Sequence, residues 1–112
     1  MDDDDAARDV MREGLEQAGY EVHAVADAGD ALRLLARSEP DLVVTDWHMG
    51  GLHGAHVVSS ARELQTHVPI VVVSGHLDQA RTGVDPTDPG LYFLEKPFSI
   101  ASLLELAERL TR

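Results

Sequence analysis

The 112-residue chain has no cysteine, a single lysine, one tryptophan, two tyrosines and two phenylalanines. Without cysteine, neither a disulfide framework nor a thiolate metal site or nucleophile is available. No apolar run approaches the roughly 20 residues that span a bilayer, so a membrane anchor is not expected. No charged-then-apolar leader is visible, and the cytoplasm is the expected compartment. Basic residues are also short, nine Lys and Arg against twenty Asp and Glu, for a formal net charge of −11. Such a balance opposes approach to phosphate backbones and argues against nucleic acid as a direct partner, while suiting a cation site. The 44% hydrophobic content predicts one folded domain over residues 1–112.

Along the chain, helical and strand patterns alternate. Ala7, Met11, Leu15 and Ala18 recur at helical spacing, with Asp5 placed to cap and Gly19 to stop. Tyr20–Val25 alternates like a short strand. Asp27 opens a second helix through Ala31, Leu32, Leu34 and Leu35, which exits at Pro40. Asp41–Thr45 reads as an apolar strand ending on Asp46, followed by a loop, Gly50 to Gly54, and a helix burying Val57, Ala61 and Leu64. Val68–Ser74 is apolar on both faces, as a central parallel strand is. His76 to Gly90, interrupted by Gly83, Pro86 and Pro89, leaves room for little more than a loop. Leu91–Glu95 forms a last strand, Lys96-Pro97-Phe98 a turn, and Ser99 caps a helix with Ile100, Leu103, Leu104, Ala107 and Leu110 inward. This order predicts an α/β fold, a doubly wound parallel sheet covered on both faces.

Three strand ends then carry polar groups to one edge: Asp46, Ser74 and Lys96. In open α/β sheets the carboxyl edge is where ligands bind. Clustered carboxylates there suit Mg2+, a hard cation that also takes a phosphate oxygen. A lysine ammonium and a serine hydroxyl suit the remaining phosphoryl oxygens, so that positioning and charge stabilisation supply the catalysis.

With Asp46, Ser74 and Lys96-Pro97 in this spacing, the chain resembles the receiver domains of two-component response regulators, with the flavodoxin-like receiver fold. The tail Asp88–Phe98 further resembles receivers of hybrid histidine kinases, whose fourth helix is short or irregular. The resemblance implies that Asp46 is the phospho-acceptor, that Asp2, Asp3, Asp46 and the backbone carbonyl of His48 hold Mg2+, and that Ser74 and Phe93 form a switch. It further implies a histidine kinase or histidine phosphotransfer protein as partner, a possible homodimer, and a signalling domain rather than an enzyme. His48 and His76 stand where the family tunes the lifetime of the phosphoryl group, and Trp47 is expected to pack beside the site.

The family's first strand, central in its sheet between the second and third, has no counterpart ahead of helix Ala6–Ala18. A start assigned too late, a strand supplied by another copy or partner, and a rearranged sheet are the competing accounts, the first being preferred. Two rival functions remain: a phosphorylation-independent pseudo-receiver used for docking or dimerisation, and a magnesium phosphohydrolase. The hydrolase is disfavoured because His48, rather than an acidic residue, lies two positions after Asp46.

Overall fold

Ile70–Ser74 is the segment with most to bury: every one of its five residues is inaccessible or nearly so. Such a strand needs partners on both edges and cover on both faces, and the computed structural model supplies both. It describes residues 4–47, 52–64, 67–76, 80–81 and 87–111. Strand β1 (Val43–Asp46), β2 (Ile70–Ser74) and β3 (Leu91–Glu95) form a parallel sheet in the order β1-β2-β3. The register pairs Val43 with Ile70 and Asp46 with Val73 on one side, and Ile70 with Leu91 and Ser74 with Glu95 on the other. The sheet is the predicted parallel one.

Among the described residues four helices with defined ends cover it: α1 (Asp5–Gln17), α2 (Ala28–Arg37), α3 (Leu52–Leu64) and α4 (Ile100–Thr111). Strand periodicity divides the core in two. Val43, Ile70, Val72, Leu91 and Phe93 pack with Leu35, Val58 and Ala61 on the α2/α3 face. Leu42, Val44 and Leu94 pack with Met11, Leu15, Leu103 and Ala107 on the α1/α4 face. Each fully buried aliphatic side chain contributes about 1.5–3 kcal/mol relative to exposure. The double winding therefore follows from alternate residues of the same strands serving two helix layers.

Helix ends obey local chemistry. Asp4, rather than Asp5, caps α1, its side chain accepting from the amides of Ala6 at 3.0 Å and Ala7 at 3.3 Å. Asp5 lies inside the first turn, where a negative charge suits the helix dipole. Gly19 ends α1 with φ of 100°, a left-handed conformation natural to glycine. Asp27 caps α2 by accepting from the Asp30 amide at 2.8 Å, and Ser99 caps α4 through the Ser102 amide at 3.2 Å. Helix α2 stops at Arg37, ahead of Pro40, where the Ser38 hydroxyl donates back to the Leu34 carbonyl at 2.7 Å.

Several expectations require correction. Tyr20–Val25 is not a strand of this sheet; among the described residues none of Glu21–Val25 makes a backbone–backbone hydrogen bond. Its burial alternates only over Tyr20–His23, with Tyr20 and Val22 half-buried and Glu21 and His23 exposed, and the exposed Ala24 breaks the period; a strand also needs a neighbour to pair with. Leu64, expected inward, ends α3 exposed at 52%. In α4, Leu106 is buried while Leu104 and Leu110 are only half-buried, a rotation of the inward stripe. The loop Gly50 to Gly54 lies largely outside the described residues, as does most of His76 to Gly90. Of that latter segment, Ala80 and Arg81 are helical, the Ala80 amide donating to the His76 carbonyl at 3.2 Å.

Candidate functional site

The parallel register fixes which strand ends meet. Asp46 is level with Val73, one residue before Ser74, and Glu95 is level with Ser74, one residue before Lys96. The three predicted groups therefore leave adjacent strands at one height on the carboxyl edge. Two backbone bonds carry that level past the strands: the Trp47 amide donates to Val73 and the Lys96 amide to Ser74, both at 2.8 Å. The Lys96–Pro97 peptide is cis.

Lys96 Nζ donates to Asp46 Oδ1 at 2.9 Å. The Asp46 side chain is 12% exposed and that of Lys96 30%, so the pair is sheltered and the charge of the lysine is directed at the carboxylate. No buried side-chain nitrogen or oxygen lacks a partner among the described residues. With Oδ1 engaged by Lys96, Oδ2 is the Asp46 oxygen available as an acceptor or as a ligand to a hard cation. Ser74 is buried, and its Oγ accepts from the His76 amide at 2.9 Å. That bond orients the hydroxyl and leaves its proton to donate.

Trp47 is buried in the α2/α3-face core next to the site, as expected of a packing residue. Asp2, Asp3 and His48 lie outside the described residues. Among the described residues no group of three or more His, Asp or Glu side chains is placed to hold a metal ion, so Asp46 is the one predicted ligand with a defined position. His76 is exposed at the edge.

Phe93 is half-buried against the α2/α3-face core, with the Arg81 guanidinium 5.4 Å from its ring centre. Sequence reasoning missed Arg81, since a cation stacked on an aromatic twelve residues later has no local pattern. It also missed the tie between Arg62 and Asp88, with Arg62 Nε to Asp88 Oδ2 at 2.6 Å and Nη2 to Oδ1 at 3.2 Å. Arg62 Nη1 additionally donates to the Val68 carbonyl at 2.5 Å. Hydrogen bonding from Arg62 holds the Asp88 carboxyl below its ordinary value of 3.8, burial opposes this, and the Gly90 amide assists. The tie fastens the end of α3 to the entry of β3.

No helix among the described residues is long and apolar enough to cross a membrane. The profile of the response regulator receiver domain matches residues 1–108. The transcriptional regulatory protein PrrA of Mycobacterium tuberculosis is 34% identical over 117 residues, an alignment covering all of this chain and 48% of PrrA. The chain thus spans about half the length of that relative, whose name lends no support to the expectation that nucleic acid is excluded as a partner. The receiver domain of NtrX from Brucella abortus superposes with a TM-score of 0.85 at 28% identity, covering 98% of this chain and 93% of that one. The receiver domain of the sensor histidine kinase PA1611 from Pseudomonas aeruginosa, with a magnesium ion coordinated in its active-site cleft, superposes with a TM-score of 0.85 at 25% identity, covering 99% and 93%. Aspartate, serine and lysine on consecutive strand ends, in a flavodoxin-like sheet matched over nearly its whole length, place this chain in the family of response regulator receiver domains, the signalling domains of two-component systems.

Proposed function

We propose that the chain is a single phospho-accepting unit in which Asp46 takes a phosphoryl group from a phosphohistidine of a histidine kinase or phosphotransfer protein. The observation that carries this reading is the 2.9 Å contact of Lys96 Nζ with Asp46 Oδ1 at the carboxyl edge. An ammonium there neutralises the nucleophile without blocking Oδ2. Asp46 Oδ2 forms the new P–O bond as the P–N bond to imidazole breaks, and the departing nitrogen keeps the electron pair and takes up a proton. Ser74 Oγ–H and Lys96 Nζ–H then donate to the phosphoryl oxygens, a preorganised arrangement that stabilises charge spread over them.

Asp46 fits a magnesium ligand through the carboxylate oxygen that Lys96 does not engage, and the other proposed ligands are Asp2, Asp3 and the His48 carbonyl. The ion, when bound, offsets repulsion between the carboxylate and the incoming phosphate. Movement of Ser74 toward the phosphoryl group, coupled to Phe93, would shift a two-state equilibrium at the surface of β3 and α4.

The test uses Trp47, buried beside Asp46, as a fluorescent reporter during titration with Mg2+ and then beryllofluoride, an aspartyl-phosphate mimic. A saturable change in the wild type that is lost in Asp46→Asn is expected, together with one added phosphoryl group by intact mass after incubation with a small phosphodonor. If neither signal appears in folded wild-type protein, the phospho-acceptor reading is wrong and the domain acts as a docking module.

A further inference from the structure

A short path of contacts leads from Ser74 to Phe93 without passing through Asp46. Ser74 Oγ accepts from the His76 amide at 2.9 Å. The His76 carbonyl in turn accepts from the Ala80 amide at 3.2 Å, which fixes the helical pair Ala80–Arg81 to the turn that follows β2. Ala80 has no exposure and belongs to the α2/α3-face core against which Phe93 packs. Arg81, one residue on and exposed, carries its guanidinium 5.4 Å from the centre of the Phe93 ring. Phe93 is level with Val72, two residues before Ser74, and strand alternation puts Val72 and Ser74 on the same face.

Magnitudes decide which link in this path yields first. The Ser74 end is buried, and Ala80 sits in a close-packed core that transmits a shift instead of absorbing it. The link between Arg81 and Phe93 is different. Attraction of a cation to a ring face holds out to about 6 Å, and the guanidinium already stands at 5.4 Å. A shift of the Ala80–Arg81 turn by about 1 Å therefore ends it. The contact is made while Ser74 is bonded to His76 and is the first to be lost when that bond is disturbed.

We propose that Arg81 is a positioning residue that latches Phe93 in its half-buried position and so opposes the response of the domain to a phosphoryl group, an inference that rests on Asp46 being the phospho-acceptor. Movement of Ser74 toward that group draws Oγ from the His76 amide, shifts the Ala80–Arg81 turn and opens the contact with the ring. A contact present in one state and absent from the other biases the equilibrium between them. Arg81 thus sets how much phosphoryl binding is needed to release Phe93, while touching neither the acceptor nor the phosphoryl group.

The test titrates wild type, Arg81→Gln, Phe93→Leu and the double variant with beryllofluoride at saturating Mg2+, following Trp47 fluorescence, with urea unfolding to establish that each is folded. Arg81→Gln should tighten the apparent Kd about 2–5-fold, the range of an exposed cation–π contact, and the double variant should bind no tighter than Phe93→Leu alone. The sign is diagnostic, because loss of a positive charge by itself weakens capture of an anion. In wild type, NMR should find the Arg81 side-chain protons shifted upfield by the Phe93 ring and returning on saturation with beryllofluoride. Unchanged or weaker binding by Arg81→Gln, or equal tightening in the Phe93→Leu background, overturns the latch and leaves Asp46 as acceptor. No response to beryllofluoride in folded wild type overturns the phospho-acceptor reading, and the latch with it.

Discussion

Strand β2 and the segment Tyr20–Val25 are both apolar-containing and flanked by helices, yet one is fully buried along its length and the other, among the described residues, pairs with no strand. Val71, Val72 and Val73 have zero exposure, with ladders to β1 and β3 and a helix layer on each face. Tyr20–Val25 has some of the same local tendency, with Tyr20 and Val22 packed against the α1/α4-face core, but beside it among the described residues lies a cavity instead of a neighbouring strand. Strand identity is thus a property of pairs. Propensity nominates a segment, and a partner's backbone makes it a strand.

The contrast can be broken by mutation, most severely on the β2 side. Ile70→Ala empties a fully buried position in the α2/α3-face core and should cost about 2–5 kcal/mol in urea unfolding, since the tight surroundings cannot collapse into the gap. A cost below about 1 kcal/mol would show that this side is as loosely packed as the other.

Arg62→Met removes the bidentate partner of Asp88, whose side chain is 13% exposed, and should cost about 1.5–3 kcal/mol. The effect carries a sign with pH. Because the native Asp88 carboxyl lies below 3.8, the pair stabilises fully above that value and its contribution is lost as pH falls through the lower native pKa. Wild-type and variant unfolding curves should therefore converge on acidification. A gap that persisted unchanged well below pH 3.8 would mean that the arginine acts through packing and its bond to the Val68 carbonyl instead.

A smaller effect is expected where α1 meets α4. A Cβ on Gly14 would come within 2.5 Å of Ile100 Cγ1 and 2.8 Å of Cδ1. Gly14→Ala gains about 1 kcal/mol of helix propensity against about 1–3 kcal/mol of overpacking, a net loss of roughly 1 kcal/mol. In the Ile100→Ala background the same substitution should become stabilising, and a double-mutant cycle of thermal unfolding measures the coupling.

Val25→Ala, on the wall of the cavity, should cost least, under about 1 kcal/mol, because its side chain is already half-exposed.

Much of the site was legible in the chain because it depends on strand ends. Asp46, Ser74 and Lys96 each follow an apolar run, and parallel strands of matched length deliver their ends to one edge whatever the details of packing. Gly19, Asp27 and Ser99 were legible for a similar reason, since capping and stopping act within three residues. Asp4 was displaced from the predicted Asp5 by one position among four consecutive aspartates, where composition offers no way to choose. Arg62 with Asp88, and Arg81 with Phe93, were not legible, because each joins groups far apart in sequence with no periodic signal.

The order of helices and strands, the apolar β2 and the polar group at each strand end were determined by the sequence itself, because periodicity and the short reach of caps and turns act within a few residues. Tertiary structure alone decided that Lys96 reaches Asp46, that the inward stripe of α4 runs through Leu106, and that Tyr20–Val25 borders a cavity instead of joining the sheet. Those outcomes depend on which backbones lie side by side, and a chain acquires its neighbours only when the layers pack.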